Sequence, residues 1–131
     1  ANLGGGVLRR FTVAFDYAAK QMYLAPNADF RRADAFDRSG LWLLAATDGL
    51  DVVDVAADSA ALRAGLRPGD RISAIDGRAV DAGDLPGLRQ RLREAATGTT
   101  LAITYLREGR TAEASLVLAE RIPARWAGAA P

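Results

Sequence analysis

The stretch from Ser59 to Gly77, SAALRAGLRPGDRISAIDG, leaves the chain few ways to fold. Ser59 is a helix cap, and Ala60, Ala61, Leu62 and Ala64 propagate the helix that it starts. Gly65 stands where a helix end needs a left-handed residue, with Leu66 placed to fold back on the last turn. Pro68 forbids continuation, and Pro68-Gly69-Asp70 reads as a tight turn. Beyond it Ile72 and Ile75 fall in a short strand that Asp76-Gly77 closes. The string therefore predicts a compact helix–turn–strand unit.

That ordered string resembles a PDZ domain. The family repeats a small-residue helix, an Ala-Gly-Leu stop, Gly-Asp, and a strand ending in Asn-Gly or Asp-Gly. The alternative is a helix–turn–strand of some other α/β domain. On the N-terminal side, Gly40-Leu41-Trp42-Leu43-Leu44 opens one strand, Thr47-Asp48-Gly49 reads as a hairpin turn, and Leu50 to Val55 supplies a second strand. On the other side Asp84 is placed to cap a helix with Pro86 in its first turn. Leu85, Leu88, Leu92 and Ala95 or Ala96 recur at helical spacing, and Gly98 is expected to end the helix. Thr100 to Leu106 and Thr111 to Leu118 alternate as strands around Glu108-Gly109-Arg110. The expected fold class is α+β: a small antiparallel PDZ-like barrel or sandwich of 5–6 strands with two helices, preceded by a β-hairpin. The strand of the carboxylate loop comes first, which resembles the circularly permuted order of bacterial PDZ domains.

The resemblance implies peptide binding by strand addition, between an exposed strand edge and the second helix. The ligand's terminal carboxylate would meet backbone amides of a turn that reads Gly-Leu-Gly-Phe in the family and Gly40-Leu41-Trp42-Leu43 here. Trp42 stands where the family has glycine. Leu41 and Leu43 share a strand face and would line the pocket for the ligand's last side chain, with Leu44 following in the same strand. Leu85, Arg89 and Leu92 share a helix face, in competition with a core stripe of Leu88, Leu92 and Ala95. Leu85 stands where relatives preferring Ser or Thr ligands have histidine, so an apolar preference is implied. Arg38, just ahead of the loop, is a possible carboxylate contact, the alternative being a solvated linker arginine.

Residues 1–25 do not belong to that domain. After the glycine-rich start, Val7 to Phe15 has a strand pattern with Val7, Phe11, Val13 and Phe15 on one face and Arg9 interrupting it. Asp16 to Lys20 turns the chain, and Gln21 to Ala25 returns. Leu3-Gly4-Gly5 through Asp16-Tyr17 resembles the C-terminal end of a retropepsin-like aspartic protease domain, against the alternative of a generic hairpin. Residues 26–38 read as a linker in which Phe30 and Phe36 pin the chain to a neighbouring surface. Residues 39–120 form the PDZ-like domain and 121–131 a tail with Trp126 packed back. Because the chain opens at Ala1 rather than a methionine, an upstream region is expected.

No catalytic residue of the protease family can be placed on this chain. That chemistry needs two carboxylates sharing a proton, supplied by Asp-Thr-Gly or Asp-Ser-Gly, and neither tripeptide occurs. With no histidine and no cysteine, Ser-His-Asp and Cys-His arrangements and thiolate metal sites are excluded as well. Asp51, Asp54 and Asp58 lack the glycine-turned loop and terminal glutamate of a calcium site. No metal or other cofactor is expected, and the purified chain should be inactive even if its parent is an aspartic endopeptidase. A net charge of +1 gives no reason to expect nucleic acid as a partner. No apolar run approaches a membrane span and no signal peptide is read. The compartment is unreadable, the periplasm and secretion being the options for a bacterial protein. Three functional readings remain: a peptide-binding module behind a bacterial retropepsin-like protease, a free-standing scaffold, and a structural domain whose groove is self-occupied. Expected partners are peptide or protein C-termini, the upstream protease domain, and a second copy paired through the hairpin.

Overall fold

The computed structural model describes residues 4–32 and 35–121. The chain divides into two compact units between Asp34 and Ala35.

The first unit opens with one helical turn, α1 (Gly5–Leu8), followed by the antiparallel strands β1 (Phe11–Asp16) and β2 (Gln21–Pro26). The first strand begins later than the alternation predicts, and Val7 lies in the helical turn. The reason is local. Three consecutive glycines let the backbone curl, so the N–H groups of Leu8 and Arg9 reach the Gly4 and Gly5 carbonyls at 3.3 and 3.0 Å. Asp16 holds the turn by accepting the Ala19 N–H at 2.9 Å. Phe30 folds back edge-on to Phe11, with ring centroids 5.3 Å apart.

The second unit is built from β3 (Leu41–Ala46), β4 (Gly49–Val55), α2 (Ala60–Arg63), β5 (Arg71–Ile75), β6 (Arg78–Ala79), α3 (Leu85–Glu94), β7 (Thr100–Arg107) and β8 (Arg110–Val117). The sheet runs β3-β4-β5-β7-β8 with β6 hydrogen-bonded to β5, and its pairings are antiparallel. This is the α+β arrangement expected: six strands, two helices and a preceding hairpin. Leu50, Leu66, Ile72, Leu101, Ile103, Leu116 and Leu118 are fully buried between sheet and helices. Each such side chain contributes about 1.5–3 kcal/mol of transfer free energy.

The organising stretch forms as its residues demand. The Ser59 hydroxyl accepts the Leu62 N–H at 3.1 Å. Gly65 has φ +84°, its N–H donates to the Leu62 carbonyl, and the Leu66 N–H donates to Ala61. Those two bonds are the paired closure of a Schellman stop. Asp70 then turns inward beneath the Pro68-Gly69 turn and is fully buried.

Two details differ from the sequence reading. The helix after β6 is headed by Asp81, whose side chain accepts from Gly83, while Asp84 reaches back to the Asp81 N–H. Asp84 is thus the second half of a capping box, and α3 starts directly behind it without a side-chain cap from Asp84. The helix ends at Glu94, before Gly98, which instead turns the chain into β7 with φ +90°. The ends of the unit meet: the Arg38 N–H donates to the Leu92 carbonyl at 3.0 Å, and the Ala119 N–H donates to the Arg38 carbonyl at 3.1 Å. Trp126 and the rest of the tail lie outside the described residues.

Candidate functional site

β3 is an outer strand, so one of its edges carries no strand partner. Ala46 and Gly49 close a two-residue turn, which directs the backbone groups of Leu44 and Ala46 toward β4. Those of Leu43 and Ala45 therefore point to the free edge. Arg89 confirms this orientation, because its Nη2 crosses from α3 and donates to the Leu43 carbonyl at 2.8 Å. Between β3 and α3 lies a cavity of about 330 Å³, lined by Asp37, Leu41, Trp42, Leu43, Arg89, Leu92 and Arg93.

The turn leading into β3 is stiffened from within. Gly40 has φ +79°, and a Cβ there would collide with the Ser59 side chain, so glycine is the residue that fits. The Asp37 carboxylate accepts the Gly40 N–H at 2.7 Å, the Ser39 N–H at 3.2 Å and the Ser39 hydroxyl at 2.7 Å. The Ser39 hydroxyl oxygen in turn accepts the Leu41 N–H at 3.0 Å. Three of the turn's amides, those of Ser39, Gly40 and Leu41, are thus bonded to the chain's own side chains. Sequence reasoning missed Asp37 and Ser39, although an aspartate two residues before a serine is a recognisable Asx-turn signal.

The expected site residues separate into those the cavity brings together and those it does not. Leu43 is 3% exposed and forms the floor with the half-buried Leu41, while Trp42 is 64% exposed at the rim. A bulge between Trp42 and Leu43 shifts the register there, allowing adjacent residues to border one cavity. Leu44 does not line it; the strand's alternation leaves its side chain 48% exposed. On α3, Arg89 and Leu92 border the cavity but Leu85 does not. Leu85 belongs with Leu88 to the buried stripe against the sheet, and Leu92 serves both.

Arg38 has a different occupation from the one expected. Its Nη1 donates to the Arg93 and Ala95 carbonyls at 2.7 and 2.9 Å, and its Nε pairs with Glu120 at 3.1 Å. A cation on the last carbonyls of a helix is favoured by their partial negative charge. The arginines that border the groove are Arg89 and Arg93. Of the aspartates weighed for calcium, Asp51 pairs with Arg71 at 2.7 Å and Asp54 accepts the Val55 N–H. Among the described residues no acidic cluster is placed to hold a metal ion.

Comparison with known proteins agrees with this architecture. A stretch of 60 residues is 42% identical to a putative zinc metalloprotease of Mesorhizobium japonicum, covering 45% of this chain and 15% of that protein. An aminopeptidase N family protein from Idiomarina loihiensis superimposes with a TM-score of 0.56 and 29% identity, over 72% of this chain and 15% of that one. The chain thus spans about a seventh of the length of either protein. The HtrA3 PDZ domain, solved bound to a phage-derived ligand (FGRWV), is similar in fold with a TM-score of 0.51 and 23% identity, over 66% of this chain and 86% of that domain. Residues 29–118 match the PDZ domain family. With that match spanning the whole sheet and both helices of the second unit, the chain belongs to the PDZ domain family.

Proposed function

We propose that the second unit is a peptide-recognition module, taking an extended peptide as an added strand on β3 within the groove against α3. The observation that carries this reading is the free edge of β3, where Leu43 and Ala45 turn their backbone groups outward and an apolar-floored cavity opens beside Leu43. The HtrA3 domain of similar fold, bound to its phage-derived ligand, supports it. Gly40, Leu41, Trp42, Leu43, Arg89 and Leu92 are the residues we assign to the groove. Ligands are C-terminal or internal extended segments with aliphatic side chains over Leu41 and Leu43.

The module reads best as a regulatory or substrate-recruiting part of a bacterial protease. Similarity to the zinc metalloprotease supports a protease context, and the retropepsin-like pattern of residues 3–17 supports an aspartic parent. An Asp-Thr/Ser-Gly motif upstream would select the aspartic class, and His-Glu-x-x-His the zinc class. In that reading residues 1–25 end a protease-like domain, 26–38 link it to the module at 39–120, and 121–131 form a tail. β3 at the start and β8 at the end support the permuted order of bacterial PDZ domains. The bond from Arg89 to Leu43 favours one second reading, a groove that is closed at rest by its own side chain.

Screening a fluorescein-labelled octapeptide library by fluorescence polarisation tests the module. Micromolar ligands are expected. Ala45→Pro removes an edge N–H that proline tolerates there, and should abolish binding while the circular dichroism spectrum is kept. Unchanged affinity in that variant refutes strand addition. Amidating the best ligand then tells C-terminal from internal recognition.

A further inference from the structure

Arg89 occupies the middle of the groove and bonds to backbone, not to a carboxylate. Its target, the Leu43 carbonyl, is the acceptor that an added strand would need for one of its own N–H groups. Arg93, one helical turn further on, borders the same cavity. Among the described residues neither guanidinium has an acidic partner. By contrast Arg71, Arg91 and Arg107 in the same unit each pair with an aspartate at 2.7 Å. Asp37 also borders the cavity, but its oxygens are engaged by Ser39 and Gly40, with Arg121 a further 3.9 Å away. The groove therefore presents two arginines without an ion-pair partner, against the single carboxylate of Asp37, above an apolar floor of Leu41, Leu43 and Leu92.

We propose that Arg89 is the specificity-determining residue of the groove, selecting an extended peptide with an Asp or Glu side chain turned toward α3. This rests on the strand-addition reading. In the empty groove Arg89 latches the Leu43 carbonyl. When a strand enters, its N–H replaces the guanidinium on that carbonyl, and the guanidinium passes to the ligand's carboxylate. No donor or acceptor is left without a partner, and a bond to a neutral carbonyl is exchanged for a stronger charge-assisted one. A neutral strand completes only the first half of the exchange and leaves the guanidinium with water. A lysine-bearing strand adds repulsion from Arg89 and Arg93. Because side chains alternate along a strand, the acidic preference is confined to positions facing α3.

The test titrates the full 131-residue chain with labelled octapeptide pools fixed as Glu, Gln or Lys at each of several positions in turn. At one position the Glu pool should bind about tenfold tighter than the Gln pool, with Lys weakest, and the gap should narrow as salt is raised. Arg89→Leu should bind the Glu and Gln pools equally, and the Gln pool no more weakly than the natural chain does, because the latch is gone. Arg89→Lys should retain part of the preference. Equal binding of Glu and Gln pools by the natural chain, or equal weakening of both by Arg89→Leu, overturns the role of Arg89 and leaves strand addition standing. Failure of every pool to bind any of these proteins, with native circular dichroism, overturns strand addition and this proposal together.

Discussion

Arg107 reaches from the end of β7 to Asp70 in a two-pronged ion pair, with Nε and Nη2 each 2.7 Å from a different carboxylate oxygen. The same Nη2 lies 2.8 Å from the Gly65 carbonyl, and Asp70 also accepts the Arg67 N–H at 2.8 Å. One side-chain pair thus fastens the helix stop, the Pro68-Gly69 turn and β7. Asp70 is 1% exposed. Asp70→Asn should lower the unfolding free energy by about 2–3 kcal/mol, less than a fully buried pair because Arg107 keeps some contact with water. Urea denaturation of the variant measures the loss, and a double-mutant cycle with Arg107→Met assigns it to the pair.

Acid should act through two aspartates. Burial by itself would raise the Asp70 carboxyl, but hydrogen bonds from Arg107 and the Arg67 amide, with the charges of both arginines, hold it below the ordinary value. Asp76 is likewise lowered, first by the Ala102 N–H and then by Arg91, against a small opposing effect of burial. Both carboxyls bind protons more readily in the unfolded chain, so their contribution is present above about pH 4 and drains away as pH falls below it. With no histidine in the chain, melting temperature should be nearly level from about pH 5 to 8 and then drop in acid. Asp70→Asn should flatten part of the acid limb.

Gly40 and Gly65 both have positive φ but differ in their surroundings. A Cβ on Gly65 meets nothing within 4 Å, whereas one on Gly40 strikes Ser59, the cap of α2. Gly65→Ala should therefore cost only backbone strain, about 1–2 kcal/mol, and the β-branched Gly65→Val more than about 1 kcal/mol. Gly40→Ala should add a steric term and reach about 2–4 kcal/mol. Chemical denaturation of the alanine pair, with the larger loss at Gly40, checks the order.

Trp42 offers a direct report on the groove. Its side chain stands 64% exposed at the cavity rim, and the sequence holds two tryptophans. In a Trp126→Phe chain, a bound peptide should shift Trp42 emission to shorter wavelength as water is displaced. A saturating ligand that leaves the emission unmoved binds elsewhere.

What could be read without coordinates was local. Ser59, Gly65, the Pro68-Gly69 turn and Asp76-Gly77 act within a few residues of themselves, so their chemistry declares their conformation. The periodic leucines of α3 placed its core stripe for the same reason. Asp84 stands at the head of α3 as read, but its carboxylate is drawn back to the Asp81 N–H and makes no cap bond of its own to α3. The site was less legible because its bonds are long-range: Arg89 finds Leu43 across 46 positions, and Arg38 finds Ala95 across 57. Their destinations depend on which face of α3 the sheet covers, and spacing alone left Leu85 and Arg89 on equal footing.

The bond between the Arg38 carbonyl and the Ala119 N–H places the way in and the way out of the second unit side by side. To any host polypeptide, such a unit amounts to a long excursion from a single surface point, which can be spliced into a turn without stretching the host. Mechanically, pulling on the flanking chain would load the bond between those two backbone groups first, with the buried Leu118 next in line on the exit side. A unit with adjoining ends thus leaves the distance between its flanking segments almost unchanged, whatever chain carries it.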